Sequence, residues 1–174
     1  MLMYILKKLT LVIFFLIVSN NLSFASQNVR FADIDLIVQN SEIGKKTLSK
    51  IEKINKSNIE KLTNFQKQLK DRENEIKIKK NIISEEEFKK EVENLKNQLA
   101  EFNKKKDLMV KEFSDLKKNE LEALFDKINP IIQNYMKENS IEILMNSKNI
   151  FIGNINSDLT QVLINEINSK VENK

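Results

Sequence analysis

The chain is predicted to be mainly α-helical with a small β body, a long antiparallel coiled-coil hairpin projecting from strands contributed by its two ends. Three observations predict this. Between Lys45 and Ile128 there is neither glycine nor proline, and charged residues interleave with spaced apolar ones, the pattern of continuous helix. Near the middle of that stretch Ser84 precedes Glu85, Glu86 and Glu87, which fits a capping box opening a second helix. The β-branched apolar runs are confined to the flanks, so strands far apart in sequence must meet.

Residues 1–25 read as a secretory signal peptide. Lys7 and Lys8 form a positive end, an apolar run extends from Leu9 to Val18, and Ser23-Phe24-Ala25 sets up a cut between Ala25 and Ser26. The apolar run is well short of the ~20 residues that span a bilayer core. A cut there would leave 149 residues outside the cytoplasm, where there is no ATP supply.

The body is expected from residues 26–44 and 129–174. Val29 to Ala32 reads as a strand ending at an Asp33 cap, followed by a short helix through Ile37 and Val38 that stops at Ser41–Gly44. Residues 45–128 form the hairpin. In its first arm Leu62, Phe65, Leu69, Ile76 and Ile83 recur at three- and four-residue steps. In its second, Phe88, Val92, Leu95, Leu99, Phe102, Met109, Phe113 and Leu116 do the same. Such spacing makes a coiled-coil seam, which Arg72, Lys79 and Lys106 interrupt with polar slots. Folding about residues 81–84 pairs Ile76 with Val92, Leu69 with Leu99, Phe65 with Phe102 and Ile51 with Leu116.

Beyond the hairpin, Pro130 falls where the second arm could bend or restart, with helix able to continue from Ile131 to Glu138. Ile141–Met145 and Asn149–Ile152 read as a hairpin of two further strands, for three strands per chain. Asp158 then caps a last helix whose stripe is Thr160, Leu163, Ile164, Ile167 and Val171. A body this small buries little alone, and association through its strands supplies the rest.

Composition narrows the function. There is no cysteine and no histidine, which removes disulfides, Cys–His pairs, Ser–His–Asp triads and Cys/His zinc sites. The only glycines are Gly44 and Gly153, too few for a phosphate-cradling loop. Acidic residues scattered among lysines read as solvated surface charge. No catalytic residue, metal site or cofactor is expected, and the chain does not read as an enzyme.

The passage Phe31-Ala32-Asp33, followed by Val38-Gln39-Asn40-Ser41-Glu42-Ile43-Gly44-Lys45, resembles the opening strand and "LQxSxxGK" segment of the Skp/OmpH family of periplasmic chaperones. Ile141-Glu142-Ile143-Leu144-Met145 is similar to that family's second strand. Asp158-Leu159-Thr160 is similar to the "D-[ILV]-T" that opens its last helix. Ala32 and the pair Glu42-Ile43 depart mildly from the family pattern. The resemblance implies a jellyfish-like homotrimer with three arms around a cavity. It further implies an ATP-independent holdase that keeps unfolded outer-membrane proteins soluble in the periplasm, with anionic lipid or lipopolysaccharide as a further partner.

The residues themselves fit such a role. The hairpin stretch carries 22 basic and 17 acidic side chains, a local excess that attracts acidic clients and anionic headgroups. Five apolar residues fall outside the seam: Ile59, Ile78, Ile82, Leu108 and Val110. Exposed apolar groups on a polar arm signal contact with another molecule, and these five are the client-binding candidates. The rival reading is an exported structural spacer or scaffold of the cell envelope, which needs the heptads but not the off-seam residues. Nucleic acid is not an expected partner, because aromatic and basic residues are not interleaved for base stacking.

Overall fold

The computed structural model describes residues 28–172; the signal-peptide reading and its Ala25–Ser26 junction lie outside them. The element order is β1 (Val29–Ala32), α1 (Ile34–Asn40), α2 (Glu42–Lys79), α3 (Glu85–Glu138), β2 (Ile143–Asn146) and α4 (Thr160–Glu172), with single 3₁₀ turns at Ser147–Asn149 and Ile155–Ser157.

Helices α2 and α3 lie side by side and run in opposite directions. Three contacts at different heights set the register. Lys50 Nζ meets Glu120 Oε1 at 2.5 Å near the root, the Phe65 and Phe102 rings cross edge to face at 5.4 Å midway, and Arg72 reaches Glu91 nearer the tip. As the residue number rises along α2 its partner's number falls along α3, as antiparallel helices of one chain require. The turn is built as the Ser84 signature predicts. Ser84 Oγ accepts from the Glu87 amide at 3.3 Å, and Glu87 Oε2 accepts from the Ser84 amide at the same distance. Helix α2 has 38 residues, roughly 57 Å of rod at ~1.5 Å per residue.

At the root, Ser41 closes α1 and opens α2, its Oγ accepting from the Gly44 amide at 3.2 Å. The break between the two helices is therefore one residue long, and the long helix begins at Glu42 rather than beyond Gly44. At this position glycine is obligatory: a Cβ on Gly44 would sit 1.9 Å from the Val38 carbonyl oxygen.

The second long helix does not stop or restart at Pro130. It continues as one element to Glu138. Leu124, Ile128 and Ile132 are buried at four-residue steps on either side of the proline. This shared anchorage outweighs the ~3 kcal/mol that an interior proline costs. The helix ends in a Schellman turn made without glycine. Ser140 takes φ 50°, and the Ile141 amide donates back to the Met136 carbonyl at 2.9 Å.

The body core comprises Ala32, Ile37, Val38, the α3 residues just named, Ile141, Leu159, Leu163, Ile164 and Ile167. Strands β1 and β2 pair in parallel, with Val29 opposite Ile143 and Phe31 opposite Met145. On the far edge of β1, Phe31 bridges to Asp158, and the Leu159 amide donates to the Phe31 carbonyl at 2.8 Å. The Asp158-Leu159-Thr160 motif thus has a structural meaning. The Asp158 carboxylate accepts from the Thr160 amide at 2.8 Å, while the Thr160 hydroxyl accepts from the Asp33 amide at 2.9 Å.

The predicted third strand does not form. Asn146 Oδ1 accepts from the Lys148 amide at 3.1 Å and turns the chain into a 3₁₀ turn where a strand connection was expected. Residues 150–152 then find no strand partner among the described residues, and β1 and β2 make a two-stranded parallel sheet.

Candidate functional site

Apolar side chains without cover fall into two groups, one on the hairpin and one on the body. On the hairpin, Ile59, Ile78, Ile82, Leu108 and Val110 are each more than half exposed. The sequence placed them off the seam because their spacing breaks the three- and four-residue steps. The structure does not gather them into one patch. Leu108 and Val110 stand about 200° apart around α3 at ~100° per residue, so they serve opposite flanks. Ile78 and Ile82 sit at the tip, remote from the other three.

Two more exposed residues were counted in the seam by spacing alone. Leu69 is 6% exposed, yet Leu99 opposite it keeps 44% of its surface, and Val92 keeps 43%. A pair of helices has only one contact line, and the wider apolar stripe of α3 spills past it. Val92, Leu99 and Val110, separated by seven and eleven residues, lie within about 20° of one flank.

Charge surrounds these residues. Arg72, which fills a seam slot, is bound by Glu75 Oε2 at 2.9 Å and by Glu91 of the other arm. Those contacts, with the hydrogen bond that Arg72 donates to Glu75 foremost, raise the guanidinium pKa. Lys77 Nζ donates to Glu73 Oε1 at 2.6 Å, and that bond, with Lys70 nearby, holds the Glu73 carboxyl below its ordinary value. Lys105 Nζ lies 5.6 Å from the Phe65 ring centre, within cation–π range.

On the body, the outer face of the sheet carries Val29, Phe31, Ile143 and Met145, because alternate residues share a face. Three of these are substantially exposed, and Phe31 is half-buried. Gly153 passes over the Phe31 ring, where a Cβ would come within 2.8 Å of Cε1. The loop around it turns Phe151, Ile152 and Ile155 outward. Lys148, beside this face, binds the Asp35 carboxylate, and that hydrogen bond raises the lysine pKa. Among the described residues no acidic cluster could hold a metal ion, and no helix is long and apolar enough to cross a membrane.

A polar helical hairpin with bare apolar side chains, rising from a small sheet whose outer face is also bare, defines a protein built to bind other polypeptides. The sequence matches the family described as Outer membrane protein (OmpH-like) over residues 28–167, and the chain belongs to that family. The fold is similar to the crystal structure of a Caulobacter crescentus CB15 protein named as an OmpH-like outer membrane chaperone. The TM-score is 0.75 at 18% identity, covering 84% of this chain and 86% of that one. No curated protein matches the sequence.

Proposed function

We propose that this chain is an ATP-independent holdase of the periplasm, exported by a signal peptide cleaved after Ala25, that keeps unfolded outer-membrane proteins soluble. The observation carrying this reading is the set of uncovered apolar residues scattered over more than one flank of an otherwise charged rod. Ile59, Leu108 and Val110, joined by Val92 and Leu99, offer dispersed apolar contacts to an extended chain. Dispersed contacts of this kind suit clients with no fixed shape. Lysines around them attract acidic clients through a screened, salt-sensitive field. Family membership and the similarity to the Caulobacter protein support a chaperone role.

The working unit is a homotrimer in which the two long helices of each subunit pack as a coiled coil. Two parallel strands with one bare apolar face are not a stable sheet on their own. Copies of Val29, Ile143, Met145, Phe151 and Ile152 from neighbouring subunits would cover one another, leaving three arms around a cavity.

The test is capture of a urea-unfolded outer-membrane barrel. The Ile59→Ser/Leu108→Ser/Val110→Ser variant should hold the client several-fold more weakly while melting near wild type, since none of the three is in the core. Wild-type affinity in that variant, or failure of the parent to keep the barrel soluble, would instead favour an envelope spacer.

A further inference from the structure

Midway along the arm the two long helices leave a groove whose chemistry differs from that of the scattered apolar residues. It has a volume of about 410 Å³, with Leu62, Phe65 and Met109 half-buried in its floor and Lys61 and Lys105 exposed on its rim. Lys61, Asn64, Phe65 and Gln68 are spaced as one stripe of α2, about 10 Å long at ~1.5 Å per residue. Lys105 and Met109 stand one turn apart on α3. No acid lines the groove. Among the described residues Lys61 makes no ion pair or hydrogen bond, and the contact that Lys105 makes is the one with the Phe65 ring at 5.6 Å. Glu101, one turn before Lys105, forms no ion pair with it, and the Asn64 and Gln68 amides are uncommitted as well.

We infer that this groove is a subsite for client segments in which an aromatic residue lies beside carboxylates, an inference that rests on the holdase reading and gives it a sequence preference. Its length matches about three residues of extended chain at ~3.3 Å each. Charge selects the acidic neighbours. Two free ammonium groups with no acid between them attract carboxylates, and their stems can cover apolar surface while the heads pair. The floor selects a ring. The Met109 thioether makes favourable contacts with aromatic edges. Phe65, already edge to face with Phe102, can take a third ring into the same arrangement. Lys105 can lie over an incoming ring as it does over Phe65. An aliphatic segment would forgo these contacts, and an acidic segment without a ring would leave the floor wet. The groove shares no residue with Ile59, Leu108 and Val110, so general capture and this preference are separable.

Methionine-methyl NMR on the protein starting at Ser26 reads the groove directly. Met109 is the one methionine of its arms, while Met136 packs against the body core and Met145 lies on the sheet. The titrant is a short serine- and glycine-rich peptide with one phenylalanine between two aspartates. It should move the Met109 methyl signal and leave the other two in place. An analogue with leucine for the phenylalanine should bind about threefold more weakly, and one with asparagine for both aspartates about fivefold. Lys61→Gln/Lys105→Gln should weaken the parent peptide about fivefold and erase the preference for aspartate over asparagine, with helix content unchanged. A stationary Met109 signal, equal affinity for the three peptides, or a lysine variant that keeps the preference would each overturn the proposal. Capture of the urea-unfolded barrel separates this from the holdase reading. Normal capture without peptide preference strikes the subsite alone, whereas peptide preference in a protein that lets the barrel precipitate upholds the groove's ligand and strikes the holdase reading.

Discussion

Ser41, Gly44, Asp33 and Thr160 show how single residues fix the junction between body and arm. Ser41 is fully buried and supplies both the end of α1 and the cap of α2. Gly44 allows the new helix to start against the Val38 carbonyl, and Asn168 Oδ1 accepts from the Glu42 amide at 2.8 Å to satisfy another orphan donor of that first turn. Thr160 ties the end of β1 to the start of α4. These contacts account physically for the short motifs that stood out in the sequence. Gly44→Ala puts a methyl group into an occupied backbone position, and overpacking of this kind costs about 1–3 kcal/mol or more. Chemical denaturation should show a clearly lowered midpoint for this variant; an unchanged midpoint would mean that α1 and α2 are not in contact as described.

Among the elements, the hairpin was the most legible. Its heptad spacing and the Ser84 box located both helices and the turn, and the Phe65–Phe102 level was anticipated from register alone. The arms also carry the pH response. Glu73 has a lowered pKa in the folded helix, so its contribution is present above the ordinary carboxylate value of 4.5 and is lost as the pH falls through the lowered one. An NMR titration of Glu73 should give a midpoint below that of a free glutamate, and Lys77→Gln should move it back up. What escaped the sequence has definite causes. Pro130 was read as a place where the arm could bend or restart, because local propensity cannot register buried anchors at Leu124 and Ile132 on both sides of it. Asn149–Ile152 was read as a strand from its β-branched residues, yet the Asn146 side chain turns the chain just before it. The exposure of Val92 and Leu99 was hidden because heptad spacing gives the stripe but not how much of it a single neighbouring helix can cover.

For the whole molecule, two bare apolar surfaces imply two kinds of association, one permanent and one transient. The outer sheet face of Val29, Ile143 and Met145 is continuous with the Phe151–Ile155 loop, and the proposed homotrimer would cover it. Ile143→Asp/Met145→Asp should shift the protein from trimer to monomer in sedimentation, since buried unpaired carboxylates are strongly disfavoured. A trimer persisting in that variant would place the interface elsewhere.

Under the proposed function the arms are the transient surface, which an assembled body presents to an unfolded client without ATP. The decisive experiment is mass measurement of the protein starting at Ser26, with and without a urea-unfolded outer-membrane barrel. A discrete trimer should take up one client and keep it soluble. A monomer, or a trimer whose mass is unchanged while the barrel precipitates, would contradict the proposed function.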